Sequence, residues 1–210
     1  QNKEIAVINE KLYDSGVKRV IVNDDLFNSV SDIHAKVGVL ILFEPILEDI
    51  AAELTSDAIL LENVQDPGNL GTIMRTAAAA GVEDIYLSSD SASVWSPKSL
   101  RAGMGAQFSL HMYENADVVL LAQKSKIPVL AIFLSDSTSL YETDVIKDTV
   151  WVFGSEGKGI SPELLEVCSV RVTIPQDNNS VESLNVAASV AVCLFEQRRQ
   201  RIAADTKNTV

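Results

Sequence analysis

The chain has 210 residues, 47% of them apolar and 22% charged, which is enough to bury a sizeable core and too apolar for a disordered chain. Its formal net charge of −12 excludes a protein that grips nucleic acid over its whole surface; a nucleic-acid partner would need a local basic patch and would bind in a salt-sensitive way. Two cysteines and two histidines make neither a disulfide framework nor a histidine-rich metal site, and no apolar run approaches the roughly 20 residues of a membrane span, so a reducing cytoplasm is the simple reading.

No signal peptide opens the chain, and Gln1 in place of Met suggests processing or an N-terminus that lies upstream. Residues 1–45 read as a small α/β unit. Glu4 to Leu12 has helical spacing, Arg19 to Val22 is strand-like, Asp25 to Val30 is a short helix, and Val37 to Phe43 is a continuous apolar strand. Glu44-Pro45 follows, and then Ile46, Ile50 and Leu54 share one side of a helix; residues 46–56 are read as a linker helix and 57–210 as the main domain. In that domain Ala58 to Leu61 is a buried strand, and Asp66-Pro67-Gly68 is a turn. Asn69 stands where an N-cap belongs, and the helix runs to Gly81 at the C′ position. Leu70, Ile73, Ala77 and Ala80 form its core stripe, from which Arg75 points away.

Further along, Ile85 to Leu87, Val129 to Leu134, Thr149 to Phe153 and Val170 to Ile174 read as strands. Pro97 to Met104, Ala116 to Gln123, Pro162 to Val167 and Leu184 to Arg199 read as helices, and Phe108 to Met112 follows the first of these. Short apolar strands alternating with helices predict an α/β domain with a mostly parallel sheet. In the last helix Leu184, Ala187, Ala188, Ala191, Leu194 and Phe195 form one stripe, while Val186, Val190 and Cys193 occupy much of the remainder. A helix apolar on nearly all sides is buried on nearly all sides, either by an oligomer interface or as the central core helix of a monomer.

Three stretches carry chemistry. The first runs from Asn63 to Gly81: a strand, a tight loop and a helix N-terminus make a site for an anionic group, and the guanidinium of Arg75 is suited to clamping a phosphate. The second is Phe153-Gly154-Ser155-Glu156-Gly157-Lys158-Gly159-Ile160-Ser161, glycine-rich after a strand, with Ser161-Pro162 opening the next helix. It fails the phosphate-loop, dinucleotide and hydrolase-elbow spacings, which excludes a nucleotide hydrolase of those types. The third is Ile174-Pro175, a polar loop from Gln176 to Glu182, and Ser183-Leu184-Asn185-Val186-Ala187, with Ser183 as a candidate N-cap.

Taken in order, these stretches resemble the three motifs of the SpoU (TrmH) RNA 2′-O-ribose methyltransferases, and the resemblance covers residues 58–200. The third departs from the pattern: Gln176 replaces the usual Met, and the loop is one residue longer, with Asn178-Asn179 where glycine is common. Asp24-Asp25-Leu26-Phe27 and Gly38-Val39-Leu40 resemble the end of the ribosomal-protein-like RNA substrate-binding domain that precedes the methyltransferase domain in many relatives. The resemblance implies a C-terminal chain threaded into a deep trefoil knot, and a homodimer paired through the knotted region. It also implies S-adenosylmethionine as cofactor, rRNA or tRNA as substrate, and no metal.

By the same resemblance Asn69, Arg75, Glu156, Ser183 and Asn185 match catalytic positions, and Leu134, Gly154, Ile174 and Leu184 surround the cofactor. Arg75, Lys98 and Arg101 would bind RNA phosphates. A free guanidinium holds its proton too tightly to act as a base at neutral pH, so Arg75 is read as a phosphate anchor that stabilises the developing alkoxide. The alternative is a non-catalytic RNA-binding or assembly protein that keeps the fold; the acidic charge and altered third loop favour it, and the intact motif residues oppose it.

Overall fold

Ala58–Glu62 (β1) is buried at every position, as a central strand covered on both faces must be. It is an inner strand of a sheet in the larger of two units into which the chain divides, Gln1–Ile46 and Leu47–Val210. The computed structural model describes residues 3–13, 15–31, 38–45, 49–155, 157–177 and 183–208.

In the larger unit β1 pairs with Asp84–Leu87 (β2) on one side and Val150–Gly154 (β6) on the other. His111–Tyr113 (β3), Val129–Ile132 (β4), Thr138–Ser139 (β5) and Val170–Thr173 (β7) complete a seven-stranded sheet in the order β3-β2-β1-β6-β4-β7-β5. Every pairing is parallel, so all the strands end on one edge of the sheet.

Alternation along β1 sorts the two faces. Ile59 and Leu61 join a core with Leu70, Ile73, Met74 and Ala77 of Pro67–Ala80 (α3) and with Val186, Ala187, Val190, Cys193 and Leu194 of Val186–Asn208 (α7). Ala58 and Leu60 face a second core with Val118, Leu121 and Ala122 of Val118–Lys124 (α5) and Leu164 of Pro162–Val167 (α6). Helices thus cover both faces of a parallel α/β sheet, as the alternating pattern predicts. Pro97–Gly103 (α4) packs on α3 where Gly71 removes a side chain: a Cβ there would lie 2.2 Å from the Cβ of Ala102.

The start of β1 is fastened to the end of α7. Trp151 Nε1 donates to Gln197 Oε1 at 2.9 Å, and Gln197 Nε2 donates to Asp57 Oδ1 at 3.0 Å. Arg201 pairs with both carboxylate oxygens of Asp57 and donates to the carbonyls of Ile146 and Lys147. Asp57 also accepts from Thr149 N at 2.9 Å.

Several expectations are corrected. The last helix starts at Val186 and continues to Asn208, and Val186, Val190 and Cys193 face the chain's own core rather than an outer surface. Its exposed side carries Ala188, Phe195 and Ile202 instead. The linker helix is absent over the described residues 49–54. Leu54 O accepts from Lys126 N at 2.9 Å and Glu53 pairs with Lys126 at 3.0 Å, contacts that hold the segment non-helical. An isolated helix of this length is too short to stand on its own propensity.

In the smaller unit Lys3–Tyr13 (α1) and Asp24–Val30 (α2) form as expected, the latter capped by Asn23. The described residues 15–31 and 38–45 contain no strand at either predicted place. Ile21 and Leu42 are essentially fully exposed, and an apolar run becomes a strand only where a ladder partner takes its backbone groups.

Candidate functional site

The edge where the strands end holds a cleft of about 360 Å³. In open parallel sheets this edge is where ligands bind, because loops and helix N-termini converge there. Three strand exits wall the cleft: Phe133-Leu134-Ser135 after β4, Gly154-Ser155 at the end of β6, and Ile174 with Gln176 after β7. Ser183, Leu184, Val186 and Ser189 close it from the start of α7. Leu134, Gly154, Ile174 and Leu184, the four residues expected around a cofactor, therefore share one cleft.

Gly154 stands there because the backbone of its own loop approaches too closely for a side chain. The loop after β6 folds back on itself, with Gly159 N donating to Ser155 O at 2.8 Å. A Cβ on Gly154 would lie 2.1 Å from the carbonyl oxygen of Gly159 and 2.5 Å from the nitrogen of Ile160, both backbone atoms. Glu62 holds the far end of this loop: at 8% exposure, its Oε2 accepts from Ser161 N at 2.7 Å. The sequence reading passed over Glu62, although a carboxylate closing the apolar run Ala58-Ile59-Leu60-Leu61 was its visible signal. Phe133 and Ser135, the neighbours of Leu134, were also passed over as lining residues, while Gly159 and Ile160 lie in the glycine-rich stretch already singled out.

The first and third motifs meet through their asparagines. Asn185 Nδ2 donates to Asn69 Oδ1 at 3.0 Å, while Asn185 Oδ1 accepts from Ala187 N and Ala188 N. Asn185, not Ser183, therefore caps α7. A side-chain cap of this kind contributes about 1 kcal/mol. In the same way Asp66, not Asn69, caps α3: Asp66 Oδ1 accepts from Asn69 N at 2.7 Å, and Pro67 takes the first helical position. The earlier cap leaves the Asn69 carboxamide for Asn185.

Arg75 projects from α3 into solvent and makes no ion pair among the described residues. Lys98 and Arg101 are exposed on α4. The three cations share a pair of packed helices, but none lines the cleft. Glu156 lies outside the described residues, as do Asn178 and Asn179 of the longer third loop.

Other chemistries find no support. Burial pushes the Cys168 thiol up to about 11, Glu62 adding to the rise against the opposing pull of Arg171, and burial alone pushes Cys193 higher still. Both remain protonated at neutral pH and neither is an activated nucleophile. Among the described residues no group of His, Cys, Asp or Glu could hold a metal ion, and no helix is long and apolar enough to cross a membrane.

Known proteins are similar to this chain in sequence and in fold. A Synechocystis protein described as an uncharacterized tRNA/rRNA methyltransferase is 44% identical over 151 residues, covering 70% of this chain and 55% of its own length. The Bacillus subtilis 23S rRNA (guanosine(2553)-2′-O)-methyltransferase RlmP is 27% identical over 202 residues, 93% of this chain and 80% of that protein. The structure of an AdoMet-bound rRNA methyltransferase from Sinorhizobium meliloti is 33% identical with a TM-score of 0.65, over 71% of this chain and 58% of that one. The chain thus spans little more than half the length of the Synechocystis and Sinorhizobium proteins. Residues 57–195, which contain the whole cleft and all three motifs, match the SpoU rRNA Methylase family, and the chain belongs to that family.

Proposed function

We propose that the chain transfers the methyl group of S-adenosylmethionine to a ribose 2′-hydroxyl of rRNA or tRNA in the cytoplasm. The observation that carries this reading is the cleft with Leu134, Gly154, Ile174 and Leu184 in its walls, beside an Asn185–Asn69 bond that joins it to the helix bearing Arg75. The walls suit the cofactor. Leu134, Ile160, Ile174 and Leu184 offer apolar surface to a flat adenine, Ser135, Thr173 and Ser183 place hydroxyl-bearing residues beside it for a ribose, and the volume falls in the range of small-molecule sites.

When bound, S-adenosylmethionine supplies a methyl group already activated on a sulfonium, so no metal is needed. The protein's task is to hold the hydroxyl in line and to stabilise the charge that develops on its oxygen. Arg75 anchors the RNA phosphate and stabilises the alkoxide. Ser183, Asn185 and Glu156 orient the nucleophile and the loops, with Asn69 held in place by Asn185. Lys98 and Arg101 bind flanking phosphates, a local basic surface on a chain whose net charge is otherwise acidic. The smaller N-terminal unit contributes to RNA substrate binding.

The reading extends to topology and assembly. The C-terminal chain forms a deep trefoil knot, supported by α7 lying in the core and by the grip of Arg201 on Asp57, Ile146 and Lys147. The molecule is a homodimer, supported by Phe195 and Ile202, apolar yet 48% and 56% exposed on the outer side of α7.

Calorimetry with S-adenosylmethionine, followed by transfer of labelled methyl to in vitro transcribed ribosomal RNA, tests the proposal. Binding heat together with a 2′-O-methylated nucleotide in the digested RNA is the expected result. RNA binding without cofactor binding would replace the enzyme with a binding or assembly protein.

A further inference from the structure

A second cavity opens on the same edge of the sheet. It holds about 260 Å³, the space of roughly nine waters, enough for one planar base. It lies where β2 and β3 end, lined by Ser88, Ser89, Ser91, Ser93, Glu114 and Asn115. In strand order β1 and its exit loop separate this cavity from the cofactor cleft, which begins at β6. Adjacent strands lie about 4.8 Å apart, so the two sites are roughly 10–14 Å apart along the edge, the reach of one or two nucleotides of unstacked single strand.

The cavity is built rather than incidental. Asn63 N donates to Ser88 Oγ at 2.9 Å, Ala92 N to Val64 O at 2.8 Å, and Ser99 Oγ to Ser93 O at 2.7 Å. Val94 N donates to Glu114 Oε1 at 2.8 Å. Asn115 is held at φ 58, a left-handed conformation that asparagine adopts more readily than most residues. These bonds leave the Ser89 hydroxyl and the Asn115 carboxamide without a partner among the described residues, and Glu114 with acceptor capacity on its second oxygen.

The chemistry of this lining selects its occupant. Among the described residues its lining has no lysine or arginine, and Glu114 repels a phosphate, so the cavity suits a base better than the RNA backbone. A carboxylate accepts only, and it matches best an edge with two adjacent N–H donors. Among the four RNA bases only guanine presents such a pair, at N1 and N2. Its O6 in turn takes a hydrogen bond from a serine hydroxyl or from Asn115 Nδ2. We propose that this cavity reads a guanine base next to the ribose that is methylated. The proposal rests on the RNA-methyltransferase reading and adds to it a specificity-determining site.

Fluorescence anisotropy with single-stranded RNA hexamers, adenine throughout except for a central G, A, U or C, tests it on the full chain. The wild type is expected to bind the G hexamer about tenfold more tightly than the others. Glu114→Gln keeps an acceptor for Val94 N but presents an amide donor to the base, and should lose that preference while S-adenosylmethionine binding and melting temperature stay unchanged. Ser89→Ala, at an exposed position, should weaken the preference without touching the fold. A wild type indifferent to the central base, or a preference retained in Glu114→Gln, would overturn the inference. If methyl transfer to ribosomal RNA persists in that case, the enzymatic reading stands alone; if the wild type neither binds RNA nor transfers methyl, both fall.

Discussion

Gly154→Ala is the sharpest probe of the cleft. The new Cβ would stand 2.1 Å from the Gly159 carbonyl oxygen and 2.2 Å from its carbon, where ordinary contact begins at 3.4 Å. These are backbone atoms of a loop tied at Ser155 and at Ser161, so relief requires the loop or the end of β6 to move by roughly 1 Å. Overpacking of this kind costs about 1–3 kcal/mol when absorbed by the fold. Displacing a cleft wall by the same amount should cost the ligand a similar free energy, which is about tenfold to a hundredfold in affinity. Gly157→Ala in the same loop is the control, because a Cβ there meets nothing within 4 Å. Titration calorimetry with S-adenosylmethionine and thermal denaturation read the two effects separately. Expected is a cofactor affinity at least about tenfold weaker in Gly154→Ala, and unchanged in Gly157→Ala. Wild-type affinity in Gly154→Ala would refute the argument that this backbone crossing shapes the site.

Arg75→Ala should leave melting temperature and cofactor affinity unchanged, because the side chain is exposed, and should lower methyl transfer by roughly a hundredfold, the scale of losing one electrostatic stabiliser. Arg75→Lys should recover part of that rate with no change in the pH–rate profile; a shifted profile would make Arg75 the base. If the proposed homodimer forms through the outer side of α7, Phe195→Asp should yield a folded monomer in sedimentation, since Phe195 is half exposed, whereas Val190→Asp should unfold the chain because Val190 is fully buried. Arg201→Ala leaves the Asp57 carboxylate with Thr149 N and Gln197 Nε2 as its donors among the described residues; a loss of about 2 kcal/mol in denaturant unfolding is expected, and wild-type stability would show the fastening to be ornamental.

The parts of this fold that were readable from the chain are those decided locally. The unbroken apolar run Ala58 to Leu61 announced a strand covered on both faces, and Ser161-Pro162 and Gly81 marked helix ends that the structure reproduces. The parts misread are those where two local signals compete or a distant partner decides. Asp66-Pro67-Gly68 satisfies both a turn and a helix start, and the first turn of α3 absorbed it, which moved the cap from Asn69 to Asp66. Ser183 and Asn185 are both residues suited to a cap, and the start of α7 at Val186 gives that role to Asn185, which also reaches Asn69, 116 positions earlier. Periodicity showed that the last helix is apolar all round but not which side meets the sheet. That side is Val186, Val190 and Cys193, set by the packing against Trp151 and Phe153. The polar cavity at Glu114 left no trace in the sequence, because its serines acquire meaning only when the ends of β2 and β3 stand side by side.

The fastening of Arg201 to Asp57 also bears on how the molecule is made. The two residues are 144 positions apart, and much of one core face consists of α7. A growing chain can therefore assemble β1, α3 and β2, yet this core face, Trp151 included, stays incomplete until α7 has been synthesised. Contacts of such long range are slow to form, and partly folded chains with bare apolar surface aggregate. Maturation of this protein should thus be a late, nearly all-or-none event that waits for α7. Its yield in the cell would depend on chaperones that shield one face of the sheet while the last helix is still missing.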